Sequence, residues 1–300
     1  MSEVRVLRRI TDELARASGS LPDGEATALW ASVAGLKPAE VWLRRDADAA
    51  PDVTRRFWEA VEQRKRGVPF AYVAGHVGFR TLDLKIDPRA LIPRPETEGL
   101  VELTLRESKK RDRGDRTRGL VADVGTGSGC IALALAVEGR FEKVIAVEQS
   151  HAAIELAREN VARIAPATPV EVRQGNLLEP LMNTGERFRA IVSNPPYVTL
   201  AEYDLLDRSV REFEPREALV SGADGLDATR ALFAGAAQRG LLEPDGFLAL
   251  EIDERRADAV RTLGREYGWT VAIHADLFGC PRYALCTPGH GPDARSLVEG

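Results

Sequence analysis

The stretch LVADVGTGSGCIALALAV, residues 120–137, decides the fold class of this chain. It opens with a short apolar run, Leu120 to Val124, and closes with a second apolar run, Cys130 to Val137, that suits a helix. Between them lies a glycine turn, residues 125–129, in which every second residue is glycine. Glycine allows a positive φ and a close approach of a ligand to the backbone, and the N–H groups at a helix start suit an anionic or polar group. The stretch therefore predicts a strand, a ligand-binding turn and a helix in succession.

Polar residues follow the next two predicted strands. Lys143 to Val147 is an apolar strand that ends in Glu148, about 20 residues beyond the glycine turn, where an acidic side chain can hold both hydroxyls of a ribose. The third strand, Val170 to Arg173, leads into Asn176 and Leu177. A glycine turn alone is a weak signal, because NAD-binding loops share it. These features suit NAD and S-adenosylmethionine equally.

The tetrapeptide Asn194-Pro195-Pro196-Tyr197, which we call the amine clamp, directly follows the fourth predicted strand, Phe188 to Val192. Two prolines stiffen the chain and donate no N–H, so its carbonyl groups point outward. The Asn194 side-chain oxygen and the Pro195 carbonyl can both accept from one planar NH2 group, while the Tyr197 ring covers its flat face. An isolated Asn-Pro-Pro would indicate only a turn. A dehydrogenase needs no such clamp. The position of the clamp after the three earlier strands therefore favours S-adenosylmethionine over NAD as the ligand.

Three further segments carry a family resemblance. They are LIPRPETE at residues 91–98, REFEP at residues 211–215 and DLFG at residues 276–279. With the glycine turn and the amine clamp, they make the chain resemble the protein-(glutamine-N5) methyltransferases that modify class I peptide chain release factors, over nearly its whole length. The amine clamp is shared with DNA and RNA adenine methyltransferases, whereas segment 91–98 is characteristic of the glutamine enzymes.

The resemblance implies a reaction and a partner. A methyl group would pass from S-adenosylmethionine to the side-chain amide nitrogen of the glutamine in a Gly-Gly-Gln loop of a class I release factor, leaving S-adenosylhomocysteine. Two positions depart from the common pattern of the family, because Glu148 and Asn176 stand where Asp is more frequent. Both side chains keep an acceptor oxygen, so we expect at Asn176 an altered affinity for the cofactor and not its loss.

Motifs and resemblance together predict three sets of site residues. The catalytic set consists of Asn194, Pro195, Pro196 and Tyr197. The cofactor-binding set consists of Asp123, Gly125, Thr126, Gly127, Gly129, Glu148, Asn176, Leu177 and Asn194. The substrate-binding set adds Arg94 and Glu214 to the amine clamp. No metal ion is expected, since the four histidines and three cysteines show no ligand spacing.

Arg94 and Glu214 each have two interpretations. Arg94 either binds the cofactor region or the partner, or it pairs with Glu96 or Glu98 and braces its own segment. Glu214 either orients the chain over the site or is a solvated carboxylate in a turn. The connection that contains Glu214, from Thr199 to Asp227, is long, and long loops beside a site are often lids or binding loops. We assign it to gripping the substrate.

From Leu120 onward, strands and helices alternate, which is typical of a doubly wound α/β sheet. The seven predicted strands are Leu120 to Val124, Lys143 to Val147, Val170 to Arg173, Phe188 to Val192, Gly246 to Ile252, Thr270 to His274 and Tyr283 to Cys286. The resemblance to class I S-adenosylmethionine-dependent methyltransferases implies that the last strand is antiparallel to the others. The ligand should lie beyond the carboxyl ends of the first four strands.

The N-terminal part has a different pattern. Residues 3–72 have apolar positions at helical spacing and are divided by proline and glycine, which predicts a small helical bundle with Trp30, Trp42 and Trp58 in its core. Alternation from Val77 to Asp87 then predicts a β-hairpin. The predicted domains are a helical substrate-recognition domain at 1–75, a hairpin linker at 76–95, a methyltransferase catalytic domain at 96–288 and a flexible tail at 289–300.

Composition narrows the class of partner. The net charge of −5 argues against extensive phosphate contacts with nucleic acid, and the basic stretch from Lys109 to Arg118 contains aspartate and glycine, which favours a solvated loop over an RNA contact. With no signal peptide or membrane segment in view and an odd number of cysteines, we expect a cytoplasmic enzyme that does not contact membranes. We also expect a monomer, a point on which the sequence itself is silent.

Other functions stay open from the sequence. A glutamine methyltransferase acting on a ribosomal protein would carry the same motifs. An adenine-N6 methyltransferase would need a basic groove or a target-recognition segment, and neither is visible. A non-catalytic binding module would be expected to have a damaged glycine turn or amine clamp, and both are intact.

Overall fold

The computed structural model describes residues 8–111, 119–237 and 240–289, and the chain divides into two compact units. The first unit extends to His76 and includes the separate segment Asp207–Phe213. The second unit comprises Val77–Leu206 and the chain from Glu214 onward. The basic residues Arg113, Arg116 and Arg118, together with the predicted tail from His290, lie outside the described residues.

Helices and strands alternate along most of the described chain. The helices are α1 (Ile10–Ser18), α2 (Glu25–Ala34), α3 (Pro38–Leu43), α4 (Pro51–Lys65), α5 (Phe70–Ala74), α6 (Pro95–Lys110), α7 (Cys130–Glu138), α8 (His151–Ile164), α9 (Leu200–Tyr203), α10 (Arg208–Phe213), α11 (Asp227–Ala236) and α12 (Ala257–Glu266). The strands are β1 (His76–Phe79), β2 (Leu82–Lys85), β3 (Leu120–Val124), β4 (Lys143–Glu148), β5 (Val170–Gln174), β6 (Phe188–Ser193), β7 (Leu242–Glu251), β8 (Trp269–Ala275) and β9 (Pro281–Pro288).

The first unit is helical, and aromatic side chains fill its core. Trp30 and Phe57 are fully buried and meet edge to face, with 5.0 Å between ring centroids. Trp58 packs at the margin of this core. The prediction for Trp42 was wrong, because 62% of its surface is exposed. In the short helix α3, the neighbouring Val41 takes the buried position.

The second unit contains a seven-stranded sheet with the order β5-β4-β3-β6-β7-β9-β8. Strands β3 to β7 pair in parallel, whereas β9 is antiparallel to both β7 and β8. This confirms the predicted class I methyltransferase sheet and its antiparallel last strand. The largest difference between predicted and observed strand bounds is at β7, which begins at Leu242 and not at Gly246. The pairing of β7 with β6 shifts register between Phe188 and Ala190.

Apolar residues cover both faces of this sheet. One face packs against α6 and α7 through residues such as Leu100 and Leu133, and the other face buries Phe233 and Leu248. The β1–β2 hairpin was predicted to be a linker. From Val77 onward the hairpin belongs to the second unit, because its apolar side chains, among them Leu84, are buried in the same core as Leu100 and Leu133.

Asn160 is a fully buried polar side chain that joins three segments of the second unit. From α8, its Nδ2 donates to the carbonyl groups of Lys85 and Ser128, both at 2.9 Å. Its Oδ1 accepts from the Lys85 N–H at 2.8 Å. One amide thus holds the hairpin and the glycine turn against the same helix.

We expect Asn160→Ala to lower the free energy of unfolding by about 2–4 kcal/mol, because the backbone groups that it satisfies would be left buried and unpaired. Urea unfolding followed by circular dichroism measures this change. Arg158→Ala, an exposed position on the same helix, is the matched control and should change stability by less than about 0.5 kcal/mol. Equal effects of the two substitutions would contradict the role of Asn160.

Candidate active site

A cavity of about 480 Å³ opens at the carboxyl ends of β3, β4, β5 and β6. These ends meet at one edge because the four strands run parallel, and the connections diverge there to opposite sides of the sheet. Each strand end contributes a predicted site residue to the lining. They are Gly125 and Gly127 after β3, Glu148 at the end of β4, Asn176 and Leu177 after β5, and Asn194 and Pro196 after β6.

The glycine turn forms one wall of the cavity. Gly125 and Gly127 adopt φ values of +75° and +54°, in the left-handed region that favours glycine. The N–H groups of Gly125 and Thr126 donate to the Val147 carbonyl at 2.9 and 3.0 Å, which holds the turn against β4. A Cβ added at Gly125 would meet no protein atom within 4 Å. The space beside it is therefore open to a ligand.

Asp123 lies beneath this turn and not in the cavity wall. Its carboxylate is fully buried and accepts from the Thr126 hydroxyl at 2.5 Å and from the Ala132 N–H at 3.0 Å. Burial raises the pKa of Asp123 to about 7. Thr126 and Gly129 likewise do not line the cavity. These three residues shape the turn, whereas Gly125 and Gly127 face the open space.

Glu148 lies beside the glycine turn and is held by backbone donors. Its Oε2 accepts from the Gly127 N–H at 3.0 Å, and its Oε1 accepts from the N–H groups of Gln149 and Ser150 at 2.9 Å.

Leu177, in the same cavity, has a φ of +47°. A non-glycine residue in this region costs on the order of 1–3 kcal/mol and is often found at functional sites.

The amine clamp is divided between the cavity and the protein interior. Asn194 and Pro196 line the cavity, whereas Pro195 is buried and Tyr197 is half-buried beside it. Burial raises the pKa of the Tyr197 hydroxyl to about 12. The Asn194 Nδ2 donates to Thr97 Oγ1 at 3.1 Å.

Behind Asn194 is a buried acid that sequence reasoning missed. Glu251 ends β7 and is 2% exposed, and its Oε2 has no hydrogen-bond partner among the residues that the structure describes. Burial raises the pKa of Glu251 to about 7. The sequence could have indicated Glu251 through its position at the carboxyl end of an apolar strand, because the other site residues lie at the same edge of the sheet.

Arg94 and Glu214 form an ion pair at 2.6 Å. The Glu214 carboxylate is buried and also accepts from the Ile92 N–H at 3.1 Å. Glu214 is therefore not a solvated turn residue, and Arg94 pairs with it and not with Glu96 or Glu98. Neither side chain lines the cavity. Together they attach the middle of the long connection to segment 91–98.

The long connection itself forms a second wall of the cavity. Pro215, Glu217, Ala218, Val220, Ser221, Gly222 and Asp227 all line it. Sequence reasoning assigned this stretch to the substrate without naming these residues. It also missed Arg89, Ala90, Leu91, Gln149, Ser150 and Ala153, which complete the lining with Val147, Gly175 and Ala228. Leu91 and Pro215 belong to the family segments 91–98 and 211–215. No pattern in the sequence marks the others as lining residues.

The described residues offer neither a cluster of metal ligands nor a membrane-spanning helix. Within 8–111, 119–237 and 240–289, no three His, Cys, Asp or Glu side chains are grouped so that they could hold a metal ion. No helix in the same ranges is both long enough and apolar enough to cross a membrane.

Comparison with known families and structures supports this architecture. Residues 105–222 match the methyltransferase small domain, and residues 5–75 match the PrmC N-terminal domain. The fold is similar to the N-terminal domain of human METTL16 in complex with SAH, with a TM-score of 0.52 over 90% of this chain and 95% of that one. Their sequence identity is 16%, so this likeness concerns the fold alone.

Curated relatives extend the comparison to nearly the whole chain. The release factor glutamine methyltransferase of Xylella fastidiosa (strain Temecula1) is 43% identical over 88% of this chain and 92% of its own length. The enzyme of the same name from Moorella thermoacetica is 42% identical over 82% of this chain and 84% of its own. The one from Streptomyces coelicolor is 35% identical over 91% and 94%. The chain therefore belongs to the release factor glutamine methyltransferase family, as its motifs predicted.

Proposed function

We propose that this protein transfers a methyl group from S-adenosylmethionine to the side-chain amide nitrogen of the glutamine in the Gly-Gly-Gln loop of class I release factors. The observation that carries the proposal is the position of Asn194, which lines the same cavity as Gly125 and Glu148. A group suited to an amide thus lies beside groups suited to a nucleoside. The name of the curated relatives supplies the substrate class.

The cavity suits S-adenosylmethionine in size and in the chemistry of its lining. Its volume of about 480 Å³ lies within the usual range for small-molecule sites. The Glu148 carboxylate would accept from the ribose hydroxyls, and Asn176 would accept from the adenine amino group through its amide oxygen. The open side of Gly125 leaves room for the remainder of the molecule. When bound, S-adenosylmethionine supplies an electrophilic methyl group on a sulfonium.

The chain's own residues contribute orientation. A carboxamide nitrogen is a poor nucleophile because its lone pair is delocalised into the carbonyl group. The Asn194 Oδ1 and the Pro195 carbonyl would accept its two N–H bonds, which polarises the nitrogen and directs it at the methyl group. Tyr197 would cover the flat face of the amide. Asn194 is neutral, so the site orients the substrate without the cost of desolvating a charge.

The remaining residues act on the protein substrate. In our proposal, the Arg94–Glu214 pair holds the long connection beside the cavity, where it grips the loop that carries the glutamine. The net charge of −5 favours a protein over a nucleic acid as partner. We place the enzyme in the cytoplasm, where release factors act, and we expect a monomer.

Mass spectrometry tests the reaction directly. Unmethylated release factor incubated with this protein and S-adenosylmethionine should gain one methyl group per chain, located on the glutamine of the Gly-Gly-Gln loop. The Gly-Gly-Ala variant of the release factor should gain none. If the release factor stays unmethylated while the protein binds the cofactor, the proposed substrate is wrong. Ribosomal proteins and then adenine-containing nucleic acids would be the next substrates to test.

Asn194→Ala tests the amine clamp. We expect turnover to fall by about 100-fold or more, since a preoriented acceptor beside the reacting nitrogen is lost. Although Asn194 is also in the predicted cofactor-binding set, our proposal gives it contacts to the substrate amide alone, so the affinity for S-adenosylmethionine, measured by isothermal titration calorimetry, should stay nearly unchanged. Parallel loss of turnover and of cofactor affinity would refute the assigned role.

Glu148→Gln tests the cofactor site. Because hydrogen bonds to a charged group contribute about 1.5–3 kcal/mol, we expect the Kd for S-adenosylmethionine to rise by about 10- to 100-fold. Isothermal titration calorimetry measures this change. The matched control is Glu155→Gln, an exposed position on the following helix, which should leave the Kd unchanged. An unaltered Kd in Glu148→Gln would exclude Glu148 as a ribose ligand.

A further inference from the structure

The segment DLFG, residues 276–279, is the one family segment to which the proposed reaction gives no task. It lies in the turn between β8 and β9, residues 276–280, which we call the hairpin tip. Leu277 and Phe278 are 101% and 87% exposed, the two highest values among the large apolar side chains that the structure describes. Together they present an apolar surface on the order of 300 Å², a size at which patches on soluble proteins are often functional.

Hydrogen bonds hold the hairpin tip in a defined turn. Asp276 Oδ1 accepts from the N–H groups of Phe278 and Cys280 at 2.9 and 3.0 Å, and Asp276 Oδ2 accepts from Arg282 Nε at 3.2 Å. The Asp276 N–H donates to the Cys280 carbonyl at 2.9 Å, and Gly279 adopts a φ of +85° within the turn. These bonds order the turn before any partner binds, which lowers the entropic cost of binding through its exposed side chains.

The hairpin tip extends from the same edge of the sheet as the cavity. β9 is antiparallel to β7 and begins beside the carboxyl end of that strand, where Tyr283 is opposite Glu251. In the sheet order, β9 is two strands away from β6, which leads into Asn194, and β8 is three strands away. Since neighbouring strands are about 4.8 Å apart, the tip is displaced from the amine clamp by roughly 10–15 Å along this edge.

The hairpin tip is also joined to the long connection that we assign to the substrate. Arg282 pairs with Glu254 at 3.8 Å, and the neighbouring Arg255 pairs with Glu202 of α9 at 2.8 Å. α9 lies within the long connection, whose later residues line the cavity. The hairpin tip is therefore part of the protein surface that surrounds the cavity mouth.

We propose that the hairpin tip is a docking surface for the release factor, on which Leu277 and Phe278 contact an apolar surface near the loop that carries the glutamine. The inference rests on the proposed function, because the occupant is its substrate. An extended chain spans about 3.3–3.6 Å per residue. A displacement of roughly 10–15 Å therefore places the contact about three to five residues from the glutamine, or on the body of the release factor beside its loop.

A release factor fits this surface better than a second copy of the chain does. The glutamine must reach Asn194 from the carboxyl edge of the sheet, so the protein that carries it has to lie over or beside the hairpin tip during the reaction. A second copy bound there would obstruct this approach. The charged side chains at the tip, Asp276, Arg282 and Glu254, pair with one another. The tip therefore offers its partner apolar contacts and not a net charge.

Steady-state kinetics with intact release factor test the docking surface. Leu277→Ala and Phe278→Ala should each raise the KM for the release factor by about fivefold or more, and the double variant should raise it by about 30-fold or more, because apolar area buried in the complex is lost. The kcat at saturating release factor and the Kd for S-adenosylmethionine should stay within about twofold of the wild-type values, as expected when only substrate binding is weakened. Neither side chain lines the cavity.

Two variants serve as matched controls. Phe278→Leu keeps a large apolar side chain and should retain a KM within about threefold of the wild-type value. Val137→Ala removes an exposed apolar side chain near the end of α7, which returns to the opposite edge of the sheet before β4 begins. It should leave the KM for the release factor unchanged.

Two charged variants test the chemistry of the partner surface. Phe278→Glu and Phe278→Lys should both raise the KM at least as much as Phe278→Ala does, because either charge would have to be desolvated against an apolar surface. If one sign of charge instead restores or lowers the wild-type KM, the partner surface is charged and the proposal is wrong.

The outcomes separate this inference from the proposed function. If the wild type methylates the release factor and the double variant keeps the wild-type KM, the docking surface is wrong and the proposed function stands. If the double variant keeps that KM but converts a dimer to a monomer in sedimentation velocity, the tip is a contact between two copies, which also overturns the inference. If the wild type methylates no release factor, the proposed function is wrong and this inference falls with it. Because both side chains are exposed, circular dichroism should show that all variants fold like the wild type.

Discussion

The parallel pairing of β3 with β6 is the constraint on which the site depends. Asp123 lies opposite Val192 in this pairing, and the Ser193 hydroxyl donates to the Val124 carbonyl at 2.7 Å. The glycine turn begins one residue after this contact on one strand, and the amine clamp begins one residue after it on the other. Two motifs that are distant in sequence are thereby fixed side by side, within reach of a single small molecule.

Buried polar side chains hold the loops around this edge. Asn160 ties the hairpin and the glycine turn to α8, and Glu214 ties the long connection to segment 91–98. Asp123 holds the glycine turn from beneath, because it accepts hydrogen bonds from Thr126 and Ala132. Burying a polar group is costly unless it finds partners, so each of these partnered groups favours one local geometry.

The parts of the structure that could be predicted from the sequence are those with local causes. The seven strands follow from short apolar runs, and the glycine turn follows from the conformations that only glycine adopts easily. The Arg94–Glu214 pair joins residues 120 positions apart, and no local pattern specifies such a pairing. Glu251 could not be predicted as a site residue, because only the strand order places the end of β7 beside the end of β6. Trp42 was misplaced because hydrophobicity alone does not decide which side of a six-residue helix faces the core.

The segment Asp207–Phe213 belongs to the first unit, although the residues on either side of it belong to the second. Its Phe213 ring lies beside Gly67. A Cβ added to Gly67 would be 3.8 Å from a carbon of that ring. The boundary between the units is consequently crossed three times by the chain, and a single cut at His76 cannot release either unit intact. A chimaera that exchanges only the N-terminal residues with those of a relative would pair foreign helices with a resident α10. Modular exchange within this family thus requires that both pieces of sequence be transferred together.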